Sequence, residues 1–365
     1  MSIPFLQYST KQSGTSDQQT RSFYVGTYTD GSSKGIYRYS LQANGTMKQT
    51  GLAAASSNPS FLATSSNGRY LLAVNENGDD SGGGGTVSLF SVSGESLNFL
   101  EQQSSGGKWP CHIAINDQGF VLAANYGSGN VSLLKLDASG KLQGPLDMLQ
   151  HTGKGSHPRQ DEPHAHSTWF APDGMIITVD LGTNQLWFTS LDRESNKLVP
   201  ATPATLDMPP ASGPRHLAFH PNGSWLYVIN ELSSSVSQVT KNSTGGYELG
   251  STVSTLPASY TDESYCADIH VSADGKFLYA SNRGHNSIAM FSIHPQDGSL
   301  TLIGHESVRG DWPRNFTLSP NEDFLLVANQ RSNNIVSFKR DPSTGTLQFA
   351  GEIEAPSPVC LLFDR

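Results

Sequence analysis

The sequence predicts an all-β fold, a seven-bladed β-propeller with four-stranded antiparallel blades and a closing blade shared by both termini. Three observations predict it. One hairpin-like unit recurs seven times, the lead residues of successive copies lie 45 to 55 positions apart, and each full copy is followed by two further segments of alternating apolar and polar residues. Four strands in a repeat of roughly 50 residues are typical of a propeller blade. No segment shows a convincing amphipathic helical pattern.

The repeated unit is a first strand, a turn that usually contains Gly, and an apolar second strand that ends in Asn or Asp. The copies cover 58–76, 109–126, 164–182, 213–236, 265–284 and 312–331, with a truncated seventh at 357–365. Their lead residues are Pro59, Pro110, Ala165, Pro214, Cys266, Pro313 and Pro358. Seven copies of the unit predict seven blades.

The two ends of the chain complete one blade. Residues 22–29 match the second strand of the unit and residues 35–41 its third, so the chain starts at strand two of a blade and ends at strand one. Sharing a blade in this way leaves no open sheet edge. Residues 1–22 are polar and lack the apolar centre of a secretory signal, which predicts a disordered tail before a single domain at 23–365. A trimmed precursor is the alternative.

The fourth copy, GPRHLAFHPNGSWLYVINELSSSV, contains the clearest hairpin signal. Two alternating runs, 215–220 and 224–230, flank a Pro-Asn-Gly turn, and Asn-Gly accepts the positive φ of a tight turn. Arg215 starts the first run and Glu231 follows the second. An antiparallel hairpin therefore brings these two side chains to the same edge of the blade.

Composition excludes several functional classes. The net charge of −9 argues against non-specific nucleic-acid binding, and no apolar run approaches the length of a membrane span. Three cysteines, Cys111, Cys266 and Cys360, lie far apart in predicted strands, which indicates buried thiols in a reducing compartment. We therefore expect a cytoplasmic protein, a monomer or weak homodimer, that binds neither membrane nor nucleic acid.

Comparison of the repeats separates scaffold residues from candidate site residues. Residues that recur at the end of the second strand serve the blade, because Asn and Asp side chains satisfy backbone groups where a strand turns. They are Asn75, Asn125, Asp180, Asn230, Asn282 and Asn329. The two positions after each lead residue, and the position after the second strand, differ between copies. Since the first strand lines the central channel, these variable positions should ring one mouth of it.

The third to sixth copies carry charged and polar residues at these variable positions. They are His166, Arg215, His216, Glu231, Asp268, Arg283, Arg314 and Asn315. Burying several charges costs several kcal/mol apiece unless they are paired, so such a cluster needs a reason. One interpretation is an ion-pair network between Arg215, Glu231 and Arg283. The excess of arginine over acid in an acidic protein favours a second interpretation, a bound anion.

Four histidines are candidate ligands for a metal ion. His164 and His166 share a strand face, and His151 and His157 lie upstream, so a zinc site is compatible with the spacing. Neighbouring arginines disfavour a cation, and no further ligand lies at a compelling spacing. We expect no metal and no organic cofactor. The longest connections, 77–85 and 153–162, are interpreted as mobile loops on one face.

Three motifs together resemble a known family. PRHLAFHPNG…YVINELSSSV, ADIHVSADGKFLYASNRG and WPRNF…ANQRSNNIVSF resemble the seven-bladed propeller lactonases, which include propeller-type 6-phosphogluconolactonases and fungal carboxymuconate cyclases. The resemblance extends from about residue 23 to residue 363. It implies an active site of His166, Arg215, Glu231 and Arg283, and it matches Asp268 and Arg314 to family motifs. The Pro-Arg-His and Asn-Glu-Leu segments resemble the phosphogluconolactonase branch more than the cyclase branch.

The resemblance implies metal-independent hydrolysis of a small anionic sugar lactone. Arginine suits this task, because guanidinium binds phosphate or carboxylate and stabilises a developing oxyanion. Glu231 or His166 would be the general base, and the sequence leaves the order open. Predicted substrate-binding residues are His216, Asp268, Arg314 and Asn315. The alternatives are a lactone-forming cyclase that uses the same residues in reverse, and a non-catalytic propeller that binds proteins.

Overall fold

The computed structural model describes residues 20–78 and 84–364, and in them the chain forms seven four-stranded antiparallel sheets. The first six strands are β1 (Arg21–Thr27), β2 (Gly35–Leu41), β3 (Met47–Ala55), β4 (Pro59–Thr64), β5 (Tyr70–Asn75) and β6 (Thr86–Ser93). Then come β7 (Ser96–Ser104), β8 (Pro110–Ile115), β9 (Phe120–Asn125), β10 (Asn130–Leu136), β11 (Leu142–Gln150), β12 (Ala165–Phe170), β13 (Ile176–Asp180), β14 (Gln185–Asp192) and β15 (Lys197–Asp207). The predicted seven-bladed fold is confirmed.

The remaining strands continue the same pattern. They are β16 (Pro214–Phe219), β17 (Trp225–Asn230), β18 (Ser235–Lys241), β19 (Tyr247–Ser254), β20 (Tyr265–Val271), β21 (Phe277–Arg283), β22 (Ser287–Ile293), β23 (Leu300–Ser307), β24 (Pro313–Leu318), β25 (Phe324–Asn329), β26 (Asn334–Arg340), β27 (Leu347–Glu354) and β28 (Pro358–Phe363). One 3₁₀ turn, Pro158–Gln160, interrupts the β structure of the described residues. No helix in this part of the chain is long and apolar enough to cross a membrane.

The closing blade joins the two ends of the chain. Its strand order is β28-β1-β2-β3, with Phe23 paired to Phe363, as the sequence predicts. Most of the predicted tail, residues 1–19, lies outside the described residues. Strand β1 begins at Arg21, two residues before the predicted start of the domain. Beside the β28–β1 pair, the buried Arg38 guanidinium donates both Nη groups to Asp364, with Nη1 to Oδ1 at 2.6 Å, and lies 4.3 Å from the Tyr24 ring centroid.

This ion pair ties the end of the chain to strand β2 of the closing blade. Replacing Asp364 by asparagine is expected to lower the free energy of unfolding by about 1 kcal/mol, because the carboxylate is partly exposed. Urea denaturation of this variant, beside the exposed control Asp262→Asn, measures the effect. Identical midpoints for Asp364→Asn and wild type would contradict a role in closure.

Most strand-end amides bond a backbone carbonyl of the preceding connection, as the sequence predicts. Asn125 Nδ2 donates to Ser105 O at 2.9 Å, and Asn329 Nδ2 donates to Val308 O at 3.0 Å, whereas Asn230 bonds serine hydroxyls of its own blade. Asp180 replaces the amide in the third blade. Its Oδ2 contacts His151 Nδ1 at 2.7 Å, and both side chains are fully buried.

Apolar side chains pack between neighbouring blades. One cluster joins Phe277 and Tyr279 of β21 to Phe316 of β24 and Phe338 of β26.

A β-bulge at the start of each innermost strand shapes the channel mouth. Pairing between the first and second strands shifts by one residue in every blade, for example between Pro214 and His216. Bulges re-aim side chains that a regular strand would send to opposite faces. Consecutive residues therefore line one small pocket here, including the pairs Ser60–Phe61, Arg215–His216 and Arg314–Asn315. In blades one, four and six, both variable positions after the lead residue thus line the mouth.

Candidate active site

A buried glutamate held by three arginines is the centre of the site. Glu231 follows strand β17 and is 4% exposed. Its Oε2 accepts from Arg215 Nε at 3.1 Å and from Arg283 Nη2 at 2.8 Å, and its Oε1 accepts from Arg159 Nη2 at 2.8 Å. Burial alone would raise the pKa of this carboxyl, but Arg283, Arg215 and Arg159 outweigh burial and lower the pKa to about 2. Glu231 is therefore an anion throughout the neutral range.

Arg215 and Arg283 make further bonds to the protein. Arg215 Nη1 donates to Ala267 O at 2.6 Å and to His216 Nε2 at 3.2 Å. Arg283 Nη2 donates to Cys266 O at 2.8 Å, and its guanidinium lies 5.3 Å from the Trp312 ring centroid. Burial, followed by the charges of Arg283 and Arg314, lowers the pKa of Arg215 to about 10, so it stays protonated at neutral pH. The interblade ion-pair network, which the sequence analysis ranks below a bound anion, is present, and it fixes both guanidinium planes.

His166 lies beside this cluster as a neutral imidazole. It occupies the bulge of β12, where Cys111 Sγ lies 3.7 Å from its Nδ1 and donates to its main-chain oxygen at 3.2 Å. Burial, and then the charge of Arg215, lowers the pKa of His166 well below its usual range. Among the described residues, no hydrogen bond reaches its Nε2. A buried, uncharged ring nitrogen at the mouth is therefore able to accept a proton.

His216, Asp268 and Asn315 hydrogen-bond to one another, although the sequence predicts them as substrate contacts. His216 Nδ1 donates to Asp268 Oδ1 at 2.9 Å, and Asn315 Nδ2 donates to Asp268 Oδ2 at 2.6 Å. Asn315 Oδ1 then accepts from Leu361 N at 2.8 Å. Burial, and then the charge of Arg215, lowers the pKa of His216 to about 4, so neutral His216 accepts from Arg215 at Nε2. These hydrogen bonds connect four successive blades, and the bond from Arg215 to His216 helps to orient the Arg215 guanidinium.

Arg314 differs from Arg215 and Arg283 in its contacts. Its side chain is 18% exposed, and the closest carboxylate oxygen, Glu76 Oε1, is 3.8 Å from its Nη2. The guanidinium lies 5.2 Å from the Tyr28 ring centroid, and Tyr28 OH donates to Glu76 Oε2 at 2.8 Å. Within residues 20–78 and 84–364, no hydrogen bond uses the Arg314 guanidinium. Its donors are therefore available to a ligand.

Arg159 is a site residue that the sequence comparison missed. It lies in the 153–162 connection, which the sequence analysis interprets as a mobile loop, and its side chain is 42% exposed. The 3₁₀ turn around it is anchored: Gln160 is fully buried and donates through Nε2 to Leu181 O at 2.8 Å and to Asn184 Oδ1 at 2.9 Å. The other long connection, 77–85, lies partly outside the described residues.

The four histidines weighed as metal ligands have separate partners. His151 bonds Asp180, and the His157 ring caps the 3₁₀ turn by accepting from Arg159 N at 3.1 Å. His164 stacks on Tyr126 at 4.4 Å between centroids. Within the described ranges, no group of three His, Cys, Asp or Glu side chains is arranged to hold a metal ion.

Comparison with known proteins identifies the family of the chain. The sequence profile described as "Lactonase, 7-bladed beta-propeller" matches residues 22–363. The chain belongs to this lactonase family. A 6-phosphogluconolactonase of Bacillus subtilis is 39% identical over 345 residues, which is 93% of this chain and 97% of that protein. A 6-phosphogluconolactonase of Formosa agariphila is 38% identical over 284 residues, covering 74% of this chain and 78% of that one.

Solved structures of the lactonase family superpose closely. The periplasmic gluconolactonase of Pseudomonas aeruginosa has a TM-score of 0.89 and 33% identity, covering 95% of this chain and 99% of that one. The sequence resemblance to the propeller lactonases is thus confirmed. The four residues that the resemblance implies, His166, Arg215, Glu231 and Arg283, converge at one mouth of the channel in blades three, four and five.

Proposed function

We propose that this protein hydrolyses a sugar lactone, without metal or organic cofactor, and that 6-phosphoglucono-δ-lactone is the first substrate to test. One observation carries the proposal: a buried carboxylate fixes the guanidinium groups of Arg215 and Arg283 beside a neutral histidine. Relatives named 6-phosphogluconolactonase support it at 38% and 39% identity. We also infer a reducing compartment such as the cytoplasm, supported by three free, buried cysteines.

We propose that His166 is the general base. Both Glu231 oxygens already accept from arginines, whereas no hydrogen bond reaches His166 Nε2 among the described residues. His166 Nε2 instead takes a proton from water as the water oxygen bonds to the lactone carbonyl carbon. Glu231 positions Arg215 and Arg283.

The two fixed arginines stabilise the charge that develops on the carbonyl oxygen. Preorganised donors act strongly at such a site because they do not have to reorient during the reaction. When the tetrahedral intermediate collapses, the ring carbon–oxygen bond breaks and the leaving alkoxide takes the proton from His166. The product is an open-chain hydroxy acid that ionises at neutral pH. Arg314, whose donors are not used within the protein, contacts the rest of the substrate.

The pH dependence of kcat/KM tests the choice of base. His166 must be neutral to act, and its pKa in the folded protein lies well below 6.5, so activity should persist at pH 6.5 and fall only as pH drops further. The quantity kcat/KM reports the free enzyme, so its acidic limb should have a midpoint below 6.5. Initial rates between about pH 4 and pH 8, corrected for spontaneous hydrolysis, give this midpoint. A midpoint at or above 6.5 would argue against His166.

A substrate panel tests the reaction itself. Purified protein is assayed with 6-phosphoglucono-δ-lactone, δ-gluconolactone and carboxymuconate, the last followed by loss of its ultraviolet absorbance. Lactone hydrolysis above the spontaneous rate, without muconate consumption, is the expected result. Consumption of muconate alone would assign the chain to the cyclase reaction. Inactivity on all three compounds would favour the protein-binding propeller instead.

A further inference from the structure

The small pocket at the mouth extends beyond the catalytic cluster. It is lined on one side by Arg215 and His216, and on the other by Ser60, Glu76 and Arg314. These last three come from blades one and six, on the arc of the ring opposite blades three to five. Cys111, which contacts His166, also lines it. The pocket has a volume of about 10 Å³, enough for one water-sized group, so a single polar group of a ligand in it would contact both sets of residues.

Polar atoms of this second arc are left without partners. Ser60 is 4% exposed, and its hydroxyl has no hydrogen-bond partner among the described residues. The Arg314 guanidinium makes no hydrogen bond there, and Glu76 uses only Oε2, which accepts from Tyr28 OH at 2.8 Å. Leaving a buried hydroxyl without a hydrogen-bond partner is destabilising. Such unused atoms around one pocket indicate a ligand that completes their hydrogen bonds.

The types of the free atoms indicate which ligand chemistry fits. Arg314 and Ser60 supply donors, whereas Glu76 Oε1 is a charged acceptor 3.8 Å from the Arg314 guanidinium. A phosphate dianion offers acceptors only, so it would oppose Glu76 at short range. A sugar hydroxyl both donates and accepts. Because one hydroxyl donates a single proton and accepts through two lone pairs, one sugar hydroxyl can satisfy all three side chains in this small pocket.

We propose that Ser60, Glu76 and Arg314 form a subsite for one ring hydroxyl of the sugar lactone, which donates to Glu76 Oε1 and accepts from Arg314 and Ser60. This inference rests on the proposed lactonase function. It assigns recognition of the sugar to a hydroxyl at this subsite, and a phosphate group is not part of that contact. The bound hydroxyl would hold the lactone carbonyl toward His166 and the two fixed arginines.

The test compares two lactones of the same ring size. δ-Gluconolactone carries the hydroxyls and δ-valerolactone carries none, so the ratio of their kcat/KM values measures hydroxyl recognition. Glu76→Gln keeps the shape of the side chain and an acceptor for Tyr28 but removes the charge. The ratio should fall at least about tenfold in this variant, as expected for a lost hydrogen bond to a charged group. Ser60→Ala should lower it less, and the exposed control Glu194→Gln should keep the wild-type ratio.

A second measurement is independent of catalysis. 1,5-Anhydroglucitol carries the ring hydroxyls without a carbonyl, and its inhibition constant should rise at least about tenfold in Glu76→Gln. Absence of inhibition in the wild type, or an unchanged constant in the variant, would overturn the subsite. An active wild type whose preference between the lactones survives in Glu76→Gln overturns this inference alone. A wild type inactive on both lactones overturns the proposed function, and the subsite with it.

Discussion

Replacing His166 by glutamine is expected to lower kcat/KM for sugar-lactone hydrolysis at least about a hundredfold, the usual contribution of a general base. Glutamine keeps a polar side chain of similar reach but cannot take a proton from water. The loss should be in kcat rather than in KM, because His166 acts on the attacking water. Initial rates with δ-gluconolactone and 6-phosphoglucono-δ-lactone, corrected for spontaneous hydrolysis, give both constants.

The matched control for this variant is His164→Gln, two residues away. His164 bonds Tyr126 O through Nδ1 at 3.0 Å and stacks on the Tyr126 ring, and it takes no part in the proposed reaction. Its variant should therefore keep most of the activity. Equal losses in the two variants would show a general disturbance of the mouth. Full activity in His166→Gln would refute the assignment of the base.

Replacing Glu231 by glutamine is expected to reduce both stability and activity. The change leaves Arg215 and Arg283 buried without a carboxylate, and an uncompensated buried charge costs roughly 3–5 kcal/mol of unfolding free energy. Each guanidinium then keeps its main-chain acceptors but loses the carboxylate that fixes its orientation, so kcat should also fall at least about a hundredfold. Urea denaturation and steady-state kinetics on the same preparation measure the two effects.

The exposed member of the cluster provides the control for stability. Arg159 is 42% exposed, so Arg159→Gln should lower the unfolding free energy by less than about 1 kcal/mol. The pH dependence of the unfolding free energy tests the contribution of the ionised Glu231 carboxylate. The folded-state pKa of Glu231 is about 2, below its usual 4.5, so its stabilisation is fully present above pH 4.5 and is lost as pH falls toward 2. Equal stability of Glu231→Gln and wild type at neutral pH would contradict a stabilising role of the buried ion pairs between Glu231 and the two arginines.

The repeat pattern was sufficient to predict the blades and most of the mouth. Because the seven copies are variants of one unit, residues that recur in most copies could be assigned to the scaffold, and Arg215, Glu231 and Arg283 differed from most of their counterparts. The β-bulge could not be predicted from a comparison of the copies. It depends on how two strands pair, and it explains why Arg215 and His216 both line the pocket.

Residues outside the repeat had no counterpart for comparison. Arg159 lies in a connection with no equivalent in other blades, so only the fold shows that it reaches Glu231. Asp268 and Asn315 show a different limit of the sequence comparison, because it found these residues but could not predict their contacts. Their polarity marked them as different from their counterparts, but only the hydrogen bonds show that they satisfy each other. The residue type at a repeat position predicts that a side chain does not serve the common scaffold. The hydrogen bonds of the folded protein then show which side chains it contacts.

Proton release from 6-phosphoglucono-δ-lactone tests the central claim most directly. Each hydrolysis produces one carboxylic acid that ionises at neutral pH, so a weakly buffered solution with a pH indicator follows the reaction in real time. Wild-type protein should release protons far faster than the spontaneous reaction, with kcat/KM of about 10⁴ M⁻¹s⁻¹ or more, and His166→Gln should approach the protein-free rate. Release at the protein-free rate in the presence of the wild type would contradict a lactonase site at this channel mouth.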